Sequence, residues 1–214
     1  MYNNLMTITS IEQAKKREER VNIFLDDNFW VGLDKNQLIQ FGLHKGKVIT
    51  EEDKRHIEEE STFYKLLERV INYTLIRPRS KFEIFQYLTL KKDVDELTAN
   101  KVIERVEEKG FLSDEKFAEW YIQTRTSHGF HGKNKISAEL AKKGVSKSIV
   151  SQFIKENEDE EGTSEKIVKL YNKVKDKVKF TSEYERKNKI YQRIMGRGFT
   201  FAEIEKALKD ESSL

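Results

Sequence analysis

The sequence predicts a mainly α-helical protein built from tandem three-helix repeats, with a small β-hairpin or sheet cap at the N-terminus. The first observation is a recurrence of apolar pairs with four-residue spacing, which begin 50 residues apart at Leu67, Phe117 and Ile167. The second is a further set of such pairs downstream in each unit, namely Ile84/Leu88, Ile136/Leu140 and Ile190/Ile194. A period of this size with helical spacing inside it is typical of stacked helical modules.

The first fifty residues follow a different pattern. Apolar and polar residues alternate over three short segments, which are residues 7–11, 21–25 and 29–33. Alternation with period two is typical of half-buried strands, and the run Asp26-Asp27-Asn28 supplies turn residues between the last two segments. Asp34 is placed to cap a short helix. We therefore expect a β-rich cap over residues 1–50.

Capping and stop signals divide the remaining chain into helices. Serine or threonine residues that can cap a helix start stand at Thr50, Ser80, Ser113, Ser146, Ser182 and Thr200. Pro78, the only proline, ends the first long helix, and the glycines that follow basic helix ends are Gly110, Gly144 and Gly198. We expect helical repeats at 51–112, 113–157 and 163–214, with an acidic linker at 158–162.

Composition excludes several classes of protein. Charged residues make up 36% of the chain and the mean hydropathy is −0.74, which suits small modules rather than one deep core. The absence of cysteine excludes disulfides, thiolate zinc sites and cysteine nucleophiles. The chain shows neither a signal-like start nor a run that could span a bilayer, so we expect a cytoplasmic protein without membrane contact.

Charge is distributed unevenly along the chain. Residues 61–150 carry 17 Lys and Arg against 12 Asp and Glu, whereas residues 1–60 carry 9 against 12. The basic repeats are compatible with a polyanionic partner and equally with an ordinary solvated surface.

Two features could belong either to the core or to a binding surface. Aromatic residues at helical spacing are expected to be core rather than base-stacking groups, and they include Phe117, Trp120, Tyr121, Phe153, Tyr171, Tyr184 and Tyr191. The glycine-containing segment 125–135 is the candidate phosphate-contacting loop, because glycines let the backbone approach a ligand closely. Its alternative is a solvated loop between helices.

No constellation of residues predicts catalysis. His128 and His131 lack the further ligands that a metal site needs, and residues 129–133 lack the spacing of a phosphate-binding P-loop. A nucleophile, a base and an orienting acid cannot be assembled. We therefore predict no enzyme, no cofactor and no metal.

The candidate contact residues are cations near helix ends. Each alone more often solvates a helix end, but their recurrence in successive units favours a function. They are Arg77, Arg79, Arg125, Lys133, Lys135, Lys142, Lys143, Arg193 and Arg197.

Four segments in order resemble a known family over residues 61–210. They are Arg77-Pro78-Arg79-Ser80, Gly110 to Ala118, Ile136 to Val145 with its Glu139-Leu140 and Lys143-Gly144, and Arg197-Gly198-Phe199. Together they resemble the RecX regulatory proteins of bacteria, and the front hairpin is similar to the extended N-terminus of some members. The chain departs from the family at Gly132-Lys133-Asn134-Lys135, where Gly-Pro with arginines is common. Lysine keeps the charge but not the bidentate fork of arginine.

The resemblance implies a non-enzymatic regulator of DNA repair, homologous recombination and the SOS response. Such a protein binds the RecA nucleoprotein filament and inhibits its recombinase, ATPase and coprotease activities. An elongated curved array of repeats would suit the groove of that filament. The implied partners are the RecA filament and single-stranded DNA, with double-stranded DNA left open. Because the sequence shows no oligomerisation signal such as a heptad seam, a monomer is the default expectation.

Two alternatives remain from the residues alone. One is a sequence-nonspecific DNA-binding protein that acts without RecA, which the basic segments and the glycine-lysine loop support. The other is a helix-turn-helix regulator, since the turns at Gly144 and Gly198 join short helices. Three repeats without a dimerisation segment fit this last reading poorly.

Overall fold

The computed structural model describes residues 5–15, 17–127, 129–157, 159–179 and 181–211, and it divides the chain into two compact units, Met1–Asn72 and Tyr73–Leu214. The boundary between the units therefore lies 22 residues beyond the predicted cap boundary at residue 50. The physical reason is that Ile57 is buried in the core of the first unit. The N-terminal part of the long helix thus completes the cap.

The first unit contains a four-stranded antiparallel sheet. Its elements are β1 (Met6–Gln13), β2 (Arg20–Leu25), β3 (Asn28–Asp34), α1 (Lys35–Gln40) and β4 (Val48–Ile49), followed by α2 (Glu51–Ile76), and the strand order is β3-β2-β1-β4. The predicted turn is confirmed, because Asp26 and Asp27 have φ angles of 46° and 63°, as a two-residue hairpin turn requires.

Side-chain caps fix the two helix starts of this unit. The Asp34 carboxylate accepts from the Gln37 amide at 2.8 Å, as predicted. The Asp53 amide donates to the Thr50 hydroxyl at 3.1 Å and starts α2, which continues without interruption past Ser61. Because each cap satisfies an amide that has no partner inside the helix, it fixes where the helix begins.

The second unit is helical. Beyond the end of α2 it contains α3 (Lys81–Lys92), α4 (Glu96–Glu108), α5 (Asp114–Ser127), α6 (Lys133–Lys142), α7 (Lys147–Glu156), α8 (Glu160–Val174), a 3-10 turn (Lys175–Lys177), α9 (Glu183–Met195) and α10 (Phe201–Glu211). The predicted stop glycines Gly110, Gly144 and Gly198 have φ angles of +78°, +77° and +93°. Positive φ is the conformation that glycine adopts at a helix C-terminus.

The recurring apolar pairs form the cores of the repeats. Helices α5–α7 enclose one cluster around Phe117 and Ile136, and α8–α10 enclose another around Ile167 and Ile190. The prediction that aromatic stripes are core is wrong for Tyr184, whose exposed fraction is 78%. Tyr184 lies in the first turn of α9, and the buried face of that helix begins at Ile190.

The predicted acidic linker at 158–162 is wrong over residues 160–162, which belong to α8. Asp159 is the N-cap of this helix, and its carboxylate accepts from the Gly162 amide at 2.9 Å. Glutamates in a first helical turn interact favourably with the helix dipole, so the acidic run starts a helix instead of separating two repeats.

Replacing Phe117 by alanine should lower the free energy of unfolding by about 3–5 kcal/mol, because a completely buried ring leaves a cavity. Tyr184→Ala is the matched control and should change stability by about 0.5 kcal/mol or less. Urea unfolding followed by circular dichroism measures both variants. Equal losses in the two would contradict the assignment of Phe117 to the core.

Candidate interaction surface

The nine predicted contact cations fall into two groups. Five of them are engaged with other parts of the protein, and they are Arg77, Arg79, Arg125, Lys133 and Lys143. The other four make no ion pair within the described ranges, and they are Lys135, Lys142, Arg193 and Arg197. The structure thus separates cations that have partners inside the protein from cations that make no ion pair among the described residues.

Arg77 and Lys143 share one carboxylate, that of Glu83 on α3. The Arg77 guanidinium donates to both Glu83 oxygens at 2.9 and 3.2 Å, and Lys143 Nζ lies 2.6 Å from Oε1. Burial acts to raise the pKa of Glu83, but the hydrogen bonds from Arg77 and Lys143 outweigh it, so that pKa lies below its ordinary value. Because Lys143 follows α6 and Glu83 lies on α3, this ion pair joins the second repeat to the first.

Arg79 is packed on an aromatic stack. Its guanidinium lies 3.7 Å from the centroid of the Tyr73 ring, which in turn stacks on Tyr87 at 4.5 Å. Burial, followed by repulsion from Arg77, lowers the pKa of Arg79. A cation held over a ring stabilises the end of α2 against α3.

Arg125 and Lys133 are also held by acids. Arg125 donates to the Tyr121 hydroxyl through Nη2 at 3.0 Å and pairs with Glu139 at 3.0 Å. Lys133 pairs with Glu203 of the third repeat at 3.3 Å. Both cations therefore contribute to the packing of the helices.

The glycine-containing segment docks the third repeat onto the second. The Gly132 amide donates to the Arg197 carbonyl at 2.8 Å, and the Asn134 amide donates to the Gly198 carbonyl at 3.3 Å. Phe130 packs into the apolar cluster of the third repeat. These backbone donors are occupied inside the protein and do not face a phosphate. His128 lies outside the described residues.

Docking gathers a group of basic side chains that we call the basic junction, made of Arg125, His131, Lys135 and Arg197. Burial first, and then Lys135, Arg125 and Arg197, lower the pKa of His131, with Glu139 opposing them. A neutral His131 at pH 7 leaves the junction charge on the other three residues. Lys142 lies about 10 Å from Lys135 along the α6 axis, so the structure does not bring it into this group.

A second basic surface contains Arg193, which was predicted, and three lysines that were not. Lys177, Lys179, Lys189 and Arg193 line a concavity of about 570 Å³ formed by α9 and the segment that precedes it. Lys189 Nζ donates to the Lys179 carbonyl at 3.0 Å, and Arg193 donates to the Lys177 carbonyl at 3.3 Å. The available signal was the alternation of lysine at 173, 175, 177 and 179.

Other kinds of site find no support in the described part of the chain. Its histidines, aspartates and glutamates form no group of three that could hold a metal ion. None of its helices combines the length and the apolar character needed to cross a bilayer.

Glu83→Gln should lower the free energy of unfolding by about 1.5–3 kcal/mol at pH 7, because two cations lose a carboxylate whose side chain is only 14% exposed. A carboxyl group with a lowered pKa in the folded state stabilises above its unfolded pKa, and this contribution is lost as the pH falls through the folded pKa. The difference between wild type and variant should therefore shrink as the pH falls through the folded-state pKa of Glu83, which lies below its ordinary value.

Denaturant unfolding at several pH values measures this difference. Glu108→Gln removes an equally charged but exposed partner, that of Arg105, and should cost about 0.5 kcal/mol or less. A Glu83→Gln effect that did not depend on pH would contradict the role given to its charge.

Comparisons with known proteins identify the family. The model described as "Regulatory protein RecX N-terminal domain" matches residues 6–50, and the one described as "RecX, second three-helix domain" matches residues 113–153. A crystal structure of regulatory protein RecX superposes with a TM-score of 0.82 at 24% identity, covering 95% of this chain and 99% of the other. RecX from Lactobacillus salivarius gives 0.62 at 22% identity over 71% and 97%. At these identities the two structures establish the fold.

Relatives named "Regulatory protein RecX" extend the match along the chain. The protein of Listeria welshimeri is 35% identical over 155 residues, which cover 72% of this chain and 57% of that relative, so less than two thirds of its length is matched. The protein of Listeria monocytogenes is 31% identical over 208 residues, covering 97% and 76%. That of Bacillus pumilus is 30% identical over 204 residues, covering 95% and 76%. The chain belongs to the RecX family of regulatory proteins.

Proposed function

We propose that this protein binds the RecA nucleoprotein filament in the cytoplasm and inhibits the recombinase, ATPase and coprotease activities of RecA without catalysing a reaction itself. Its membership in a family of regulatory proteins supports a regulatory role. The observation that carries the contact is the recurrence of cations without internal ion pairs on successive repeats, Lys135 and Lys142 on the second, Arg193 and Arg197 on the third.

A repeated arrangement of cations suits a filament. A helical polymer presents the same acidic groups at regular intervals, so a protein with several modules can form several weak contacts at once. Linked weak contacts reach a high combined affinity because each later contact is intramolecular. Charge complementarity also speeds association and selects the binding orientation.

The RecA ATPase on single-stranded DNA at fixed salt tests this proposal. We expect inhibition at amounts well below one protein per RecA. Neutralising Lys135, Lys142, Arg193 and Arg197 to glutamine together should raise the half-inhibitory concentration about tenfold or more, since each lost charge pair removes binding energy.

The control neutralises four exposed cations elsewhere, Lys101, Lys109, Lys116 and Lys147, and should leave inhibition unchanged. Circular dichroism verifies that both quadruple variants keep their helices. Equal inhibition by the two variants would remove the support for the contact, and no inhibition by the wild type would reject the proposed function.

Direct binding of single-stranded DNA without RecA is the second candidate function. The lysine-rich concavity formed by α9 and the segment before it favours it, because four cations line one surface and a basic groove can follow a nucleotide backbone. Two of these cations are oriented by carbonyls of the loop, which lowers the entropy lost on binding.

Neutralising Lys177 and Lys179 to glutamine should reduce the salt dependence of DNA binding. Each phosphate contact to a single strand contributes about 0.7 to the slope of log K against log salt, so two lost contacts lower it by about 1.4. Fluorescence anisotropy of a labelled oligonucleotide between about 50 and 200 mM salt measures this slope. Lys101→Gln with Lys109→Gln is the control, and an unchanged slope in the test variant would rule out the concavity as the DNA contact.

A further inference from the structure

Successive repeats of the second unit meet at two joints. In each joint, the glycine that follows the second helix of one repeat packs on the first turn of the second helix of the preceding repeat. A Cβ added at Gly144 would lie 2.5 Å from the Cβ of Phe82, and one added at Gly198 would lie 2.5 Å from the Cβ of Lys135. Both approaches exclude a side chain at the glycine, but the first is made to a side chain and the second also to the backbone of Lys135 and Gly132.

Two pairs of residues at the joints correspond by their positions along the helices, although Gly144 contacts the second residue after the N-cap and Gly198 contacts the third. Glu83 on α3 and Lys135 on α6 are each the third residue after the helix N-cap and directly precede the first buried isoleucine of the helix. Lys143 and Arg197 each directly precede the joint glycine. Glu83 therefore corresponds to Lys135, and Lys143 corresponds to Arg197.

The charges at these matched positions differ. In the first joint, Lys143 and Glu83 form an ion pair at 2.6 Å. In the second joint, Lys135 and Arg197 are both cations, and neither makes an ion pair within the described ranges. The acids nearby are already used, since Glu139 binds Arg125 and Tyr121 while Glu203 binds Lys133.

The second joint lacks an attraction that the first joint has. Lys143 and Glu83 attract each other, whereas Lys135 and Arg197 carry like charges, which repel. Unfavourable local arrangements, such as two cations without an acid, are concentrated at functional sites. There a binding partner can supply the missing opposite charge.

We propose that Lys135 and Arg197 form a binding site for the carboxylate of an acidic side chain on the partner protein. The first joint shows which group fits there, because the Glu83 carboxylate lies between two cations, Arg77 and Lys143. This inference rests on the proposed function, in which that partner is the RecA filament.

The cleft between the second and third repeats is not part of this site. It has a volume of about 480 Å³, neither Lys135 nor Arg197 lines it, and three acids do, namely Asp159, Glu160 and Glu203. The proposed carboxylate site is therefore the surface formed by the half-buried Lys135 and the exposed Arg197.

Lys135→Glu tests the site, because it places a carboxylate in the second joint at the position that corresponds to Glu83 in the first. The introduced carboxylate should pair with Arg197, raise the midpoint of thermal unfolding by about 1–4 °C and occupy the site. The half-inhibitory concentration in the RecA ATPase assay should rise about tenfold or more. A variant that is more stable and less active cannot owe its loss of activity to unfolding.

Two control variants accompany it. Lys135→Arg keeps the charge and should retain inhibition, and Lys101→Glu makes the same charge change on the exposed surface of α4 and should alter neither quantity. Binding of the wild type and of Lys135→Glu to bare single-stranded DNA is measured in parallel and should be equal.

The outcomes separate the competing explanations. Full inhibition by Lys135→Glu would overturn the site while leaving the proposed function intact. Parallel loss of DNA binding and inhibition would overturn the carboxylate in favour of a phosphate ligand. Absence of inhibition by the wild type would reject the proposed function, and with it the partner named for this site.

Discussion

The close backbone approach at the joints between repeats is the constraint on which the second unit depends. Gly132 and Gly198 meet so closely that a Cβ on Gly132 would lie 2.5 Å from the Gly198 carbonyl oxygen. Gly132 has an ordinary negative φ, so glycine is required there by space and not by backbone conformation. Because the contact is made by backbone atoms, it fixes where the second and third repeats meet. The Lys133–Glu203 ion pair and the basic junction lie at that contact.

The fold could be predicted where its signals are local. The buried pairs, the caps at Asp34 and Ser146 and the stop glycines all depend on neighbours within a few residues, and they appear where the pattern places them. The acidic run at 158–162 was misassigned because the same glutamates suit a solvated linker and a first helical turn. The Asp159 carboxylate, which accepts from the Gly162 amide, identifies the segment as a helix start and not a linker. An aspartate in an acidic run does not reveal this role from the sequence alone.

The candidate site could be predicted only in part, because ion pairing depends on tertiary register. Lys143 finds Glu83 at a sequence separation of 60 residues, which no spacing rule anticipates. In the sequence, Lys143 and Arg197 are both cations at helix ends. In the structure, Lys143 pairs with Glu83, whereas Arg197 makes no ion pair among the described residues. The lysine-rich segment before α9 could not be recognised from the sequence, because alternating lysines are also typical of a solvated loop. Its position depends on a tertiary contact, since Val178 is buried in the apolar cluster of the third repeat.

The two joints show how one repeated module can serve two purposes. Both use a glycine to dock one repeat on another, although the second joint also brings backbone atoms together. The charges differ as well, because the first joint has its own carboxylate while Lys135 and Arg197 at the second make no ion pair among the described residues. A net charge of only +3 conceals this difference, because it sums paired and unpaired cations along the whole chain. Two ion pairs join successive repeats, Lys143 with Glu83 and Lys133 with Glu203, and neither involves Lys135 or Arg197.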